Sequence, residues 1–83
     1  MIVAECVFKN AKGFSQPYHY AISEKIAEKL EPNTYVVVSS ARTKYGIAIF
    51  KGIAEVTDPQ QIKIITQHVV CEIKDQYQEE KND

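Results

Sequence analysis

Eighty-three residues, 45% hydrophobic and 25% charged, describe one ordinary globular domain, excluding wholesale disorder and leaving little room for a deep substrate cleft. The net charge of −1 hides an asymmetry: residues 1–71 carry eight Lys/Arg against six Asp/Glu, and residues 72–83 carry two Lys against five Asp/Glu. The body is weakly basic, short of the footprint expected of a protein that grips duplex DNA through its phosphates, and the tail is acidic.

Ile2 to Phe8 reads as a strand, with Ile2, Ala4, Cys6 and Phe8 on one face and Val3, Glu5 and Val7 on the other. Lys9 to Gly13 reads as a turn or loop. Tyr18 to Ile22 is a second strand entered through Pro17. Ser23 has the character of a helix N-cap, and Ile26, Ala27 and Leu30 share one side of a short helix. The turn Glu31-Pro32-Asn33-Thr34 ends it.

Tyr35 to Ser40 is the strongest strand signal, because β-branched and aromatic side chains suit a pleated, half-buried surface. Ala41 to Lys44 is a polar hairpin connection, and Tyr45 to Phe50 is the returning strand. Gly52 marks a bulge or bend before Ile53 to Val56, of the kind at which small barrels turn corners. After Asp58-Pro59 two patterns compete. Ile62, Ile65, Val69, Ile73 and Tyr77 have helical spacing behind an N-cap followed by proline, whereas the β-branched run favours a strand over about residues 63–71. The composition favours the strand, followed by a polar helix or tail. The chain therefore divides into a single β-rich domain over 1–71 and an acidic segment over 72–83, about five strands in a mainly β fold with short helices.

Catalytic roles go unfilled. Ser39-Ser40 lacks the Gly-x-Ser-x-Gly setting of an exposed nucleophile, and Gly13, Gly46 and Gly52 form no phosphate-cradling loop. Glu24, Glu28 and Glu31 read as a solvated helix face. His68 and Cys71, with Cys6 and His19, are the only Cys₂His₂ set available, but zinc ligands come in tight pairs and Cys6 and His19 are not one. No enzyme activity, metal or cofactor is expected. The two cysteines read as small core hydrophobes of a reduced, cytoplasmic protein, since Met1 to Glu5 shows no leader pattern and no apolar run is long enough to span a bilayer.

The suggestive cluster joins aromatic and basic residues. Tyr18, Tyr20, Tyr35 and Tyr45 lie in or beside strands, and Arg42, Lys44 and Lys51 flank the central hairpin. Small barrels use such surfaces to stack unpaired bases and hold the phosphates. The expected ligand is single-stranded DNA or RNA, with Tyr18, Tyr20, Tyr45, Arg42, Lys44 and Lys51 as the contacts. The alternative is an adaptor or inhibitor that binds a host, phage or defence protein, or a second copy of itself, through exposed strand edges.

The pieces Tyr18-His19-Tyr20, Leu30-Glu31-Pro32-Asn33-Thr34, Tyr35-Val36-Val37-Val38 and Tyr45-Gly46-Ile47-Ala48 together resemble small phage- and prophage-encoded proteins. More remotely, residues 2–56 are similar to the N-terminal DNA-end-binding domain of the primosomal helicase PriA. The resemblance implies a small OB-like or SH3-like, partly open barrel in a bacterial host cytoplasm, with Tyr18 and Tyr20 as contacts to a DNA end. Two positions depart from the pattern: His19 stands where an acidic residue is expected, and Asn33 where a glycine is expected.

Overall fold

The computed structural model describes residues 1–73; most of the predicted acidic segment, residues 74–83, lies outside them. Seven strands and two short helices run in the order β1 (Ile2–Val7), β2 (Lys9–Asn10), β3 (Gly13–Phe14), β4 (Tyr18–Ala21), α1 (Glu24–Ala27), β5 (Thr34–Ser40), β6 (Lys44–Glu55), α2 (Pro59–Ile64) and β7 (Val69–Glu72). Five of the strands form one sheet in the order β4-β1-β6-β5-β7, and every neighbouring pair in it is antiparallel.

That sheet curls until its edges meet. Ala21 and His68 form a parallel bridge, and the Ala21 N–H donates to the Gln67 carbonyl at 2.9 Å. The Ser39 N–H donates to the His68 carbonyl at 2.9 Å, and the His68 N–H to Ser39 Oγ at the same distance. One seam contact thus joins β4 to the start of β7. The mainly β, partly open barrel is the expected architecture.

β6 makes the curl possible. Its first half pairs with β5, from Lys44 opposite Ser40 to Phe50 opposite Thr34, and its second half with β1, from Ile49 opposite Val7 to Glu55 opposite Ile2. The register slips where Glu5 faces Gly52 and Cys6 faces Phe50, so Lys51 is the extra residue of a bulge. A bulge bends its strand and steepens the local twist, which is what a strand shared between two walls requires. The corner read at Gly52 thus falls one residue earlier, inside a continuous strand.

Inward positions fill the barrel. Ala4, Cys6, Tyr20, Ile22, Val36, Val38, Ala48, Phe50 and Val69 form the buried cluster, with Ile26, Ala27 and Leu30 from in and after α1 packed against it. Ser23 Oγ accepts from the Ile26 N–H at 3.2 Å, the predicted cap. Val3, on the opposite side of β1, is also fully buried.

The segment after β6 combines both competing patterns. Asp58 Oδ1 accepts from the Gln60 N–H at 3.0 Å, and Pro59 opens α2. The helix stops at Ile64, as expected of a run of β-branched side chains that lose χ1 freedom against the preceding turn. The predicted strand over 63–71 is corrected: it starts only at Val69 and runs through Glu72. Just past it, the Ile73 N–H donates to the Tyr35 carbonyl at 2.8 Å.

Asn33 adopts φ 73°, the left-handed conformation that glycine takes most easily and asparagine tolerates. Its N–H donates to the Phe50 carbonyl at 2.7 Å. Asparagine therefore serves where the resemblance implies glycine.

Tyr20 is 4% exposed and belongs to the core, whereas Tyr45 is 60% exposed. Tyr20→Ala should cost about 3–5 kcal/mol, the range for removing a large buried aromatic. Tyr45→Ala should change stability by no more than about 0.5 kcal/mol. Urea unfolding of both variants checks the pair; similar losses would contradict this assignment of inside and outside.

Candidate binding cleft at the barrel mouth

Strand directions decide which residues share an end of the barrel. β1 and β5 finish, and β4 and β6 begin, at the same end, so Phe8, Tyr18, Ser40 and Lys44 converge there. Between them opens a cleft of about 560 Å³ lined by Phe8, Ser15, Tyr18, Tyr20, Ser40, Ala41, Arg42 and Gln67. It lies on the mouth side of the Ala21–His68 bridge, where no strand fills the gap between β4 and the end of β5. Its volume falls in the range of pockets that take small organic groups.

Each wall has a local cause. Tyr18 pairs with Cys6, and Tyr20 with Ala4, so both tyrosines point inward from β4. Tyr20 lies under the core and forms the floor. Tyr18 sits at the rim, 43% exposed, edge-on to Phe8 with ring centroids 5.9 Å apart and planes at 62°. Ser15 is locked by two bonds: its Oγ accepts from the Phe8 N–H at 2.9 Å and donates to the Gln16 carbonyl at 2.8 Å. On the far wall the Arg42 N–H donates to Ser40 Oγ at 3.3 Å, and Thr43 Oγ1 donates to the Tyr45 carbonyl at 2.7 Å. Lys44 takes φ 69° to close this turn, a left-handed conformation costing roughly 1–2 kcal/mol in a non-glycine residue.

Burial pushes the Tyr20 phenol above its ordinary pKa, with Cys6 and Tyr18 adding to the shift, so the floor of the cleft stays uncharged. The mouth is otherwise positive. Lys9, Lys12, Arg42 and Lys44 stand on the segments at this end, and residues 6–23 and 32–54 contain no Asp or Glu. The carboxylates of the body lie mostly on segments beyond the opposite strand ends: Glu24, Glu28 and Glu31 in and after α1, and Glu55 and Asp58 at the end of β6. Glu5, midway along β1, lies across from His19, its carboxylate 3.5 Å from the imidazole Nε2. His19 therefore occupies the position where an acid was expected, with its partner acid across the strand.

The six predicted contacts do not share one surface. Tyr18 and Arg42 come together in the cleft. Tyr20 lines its floor from inside the core and offers no free ring face, so its reading as a surface contact is corrected. Lys44 and Tyr45 flank the mouth, but Tyr45 pairs with Ser39 and points to the outer sheet face. Lys51 lies seven residues farther along β6, roughly 20 Å away at the rise of a strand, and its Nζ donates to Asn33 Oδ1 at 2.6 Å. It is no part of the mouth. Sequence reasoning missed Phe8, Ser15, Ser40, Ala41 and Gln67; the first was legible as an aromatic ending an inward-facing row.

Cys6 is buried, Cys71 is exposed on the outer side of β7, and both thiols are free. Reading both as core residues holds for Cys6 and fails for Cys71, which sits opposite the outward Val37. Among the described residues no group of three or more His, Cys, Asp or Glu is arranged to hold a metal, and no helix is long and apolar enough to cross a membrane. No protein-family model matches the chain, and no curated protein or solved structure matches it either.

Burial pushes the Cys6 thiol up to about 11 from 9.0. A thiol held neutral in the fold favours folding below the unfolded pKa. That contribution disappears as pH rises through the interval from about 9 to about 11, because only the unfolded chain ionises there. A thiol reagent at neutral pH should label one cysteine, Cys71, in the native protein and both after unfolding. Unfolding midpoints should fall across the same alkaline interval in wild type and fall less in Cys6→Ala.

Proposed function

We propose that the protein is a non-catalytic binding module whose barrel mouth takes single-stranded nucleic acid. The observation that carries this reading is the pairing of an exposed tyrosine with an arginine across a cleft, at an end of the barrel built without carboxylates. An aromatic ring accepts any base by stacking, and a guanidinium serves both phosphate and base.

Fluorescence anisotropy with labelled single-stranded oligonucleotides tests it. Affinity should fall with salt at a slope of about −3 in log–log terms if roughly four phosphates are neutralised. Tyr18→Ala should weaken binding by about 1–3 kcal/mol, the range for one stacked base, with its fold intact. Absence of binding at low salt, or binding indifferent to salt, would refute the reading.

A second reading is favoured by the opposite kind of surface. On the outer face of β5 and β6, Tyr35, Val37, Tyr45 and Ile47 lie side by side without a charged neighbour in the facing rows, and Ile47 is 61% exposed. Uncharged, aromatic-rich surface is the character of a protein contact. On this reading the protein is an adaptor or inhibitor, engaging a host or defence protein or its own second copy. Sedimentation of wild type and Ile47→Lys over a wide concentration range reads self-association directly. A concentration-dependent wild type and a monomeric variant are the expected result; a monomeric wild type removes the self-associating version.

A further inference from the structure

The β2–β3 hairpin is an arm with no evident part in the fold. Lys9 pairs with Phe14 and Asn10 with Gly13, and the two short strands pack mainly on each other. Its shape is nonetheless well defined. The Ser15 N–H donates to the Phe8 carbonyl at 2.8 Å at the root, and the Lys12 N–H to Asn10 Oδ1 at 2.9 Å at the tip. Gly13 takes φ 125°, which a side chain would resist. On this braced arm Phe14 is 64% exposed, one of the most exposed large apolar side chains among the described residues. Lys9 lies directly across from it and Lys12 at the tip, with no acid anywhere in residues 6–23.

We propose that the arm is a second contact for the same single strand, with Phe14 stacking on a base outside the cleft and Lys9 and Lys12 on the adjoining phosphates. This rests on the single-strand reading of the barrel mouth. The charge selects the occupant: an exposed ring on an arm that carries two cations and no acid suits an anion with flat apolar groups. The pairing sets the path. Paired residues of a ribbon share a face and alternate along it. Lys9 and Phe14 therefore lie on the side of the arm opposite Phe8 and Ser15, which line the cleft. A strand leaving Tyr18 reaches Phe14 only by crossing the arm, so a short oligonucleotide fills one station and a longer one fills both.

The full chain is titrated with oligothymidylates of about 4 and about 12 nucleotides, within the span of sites on small barrels. Wild type should bind the longer one more tightly. Phe14→Ala should lose about tenfold on the longer and almost nothing on the shorter, with an unchanged urea midpoint. Lys12→Gln should lower the salt slope by about 0.7 for the longer alone. Equal effects of Phe14→Ala on both lengths, or none on either, overturn the second station while leaving the cleft. Failure of wild type to bind either at low salt overturns the single-strand reading and this inference with it.

Discussion

Five strands, each antiparallel to its neighbour, cannot close into a barrel without one parallel junction. This parity constraint governs the molecule. β4 and β7 run in the same direction, and they meet at the Ala21–His68 bridge and the bond from Ala21 to Gln67. A parallel junction between short strands has few bonds to offer, and here β7 begins only where the bridge is made. The stretch before it, 65–67, leaves the wall as an irregular turn out of α2. Above the bridge the seam stays open as the cleft, and just below it a second, smaller cleft of about 380 Å³ lies between residues 21–23 and 68–70. The cleft is the consequence of that closure rather than an addition to the fold.

The same strand directions sort the charges. Residues 6–23 and 32–54 are far apart in the chain, yet antiparallel pairing brings the end of β1, the turn before β4 and the β5–β6 turn to one mouth. Their cations add without any carboxylate beside them, while Glu55, Asp58 and the acids in and after α1 follow strand ends that face away. A net charge of −1 therefore says little about this protein's field; its arrangement along the barrel axis says more. The aromatic residues are divided by the pleat. Tyr18 and Tyr20 point inward, where position along the strand makes one a rim and the other a floor. Tyr35 and Tyr45 point outward onto an uncharged face. Two surfaces of different chemistry result.

Much of the architecture could be read from the residues in order. Alternation in Ile2 to Phe8, the β-branched run in Tyr35 to Val38, the cap at Ser23 and the break near Gly52 are local signals, and each corresponds to an element or a bend. The segment after Pro59 shows where local signals conflict. The Asp58 cap and Pro59 at the first helical position favour a helix start, and β-branched side chains then limit its length, so both patterns are realised in succession. The β2–β3 arm reads as a loop in the sequence because two-residue strands are too short for alternation to register.

The residue types that line the candidate cleft were legible in the sequence, and their geometry was not. Nothing local distinguishes Tyr18 from Tyr20, which share a face and differ only in depth. Nor does any local pattern separate Arg42, at the mouth, from Lys51, spent on Asn33 midway down β6. Residue type and periodicity settled that the chain makes a small β domain, where its turns fall and which rows face inward, because those depend on backbone preferences and the two-residue pleat. Which ends meet, which tyrosine remains accessible and which cations gather came from strand order and closure, because these depend on contacts between residues distant in the chain.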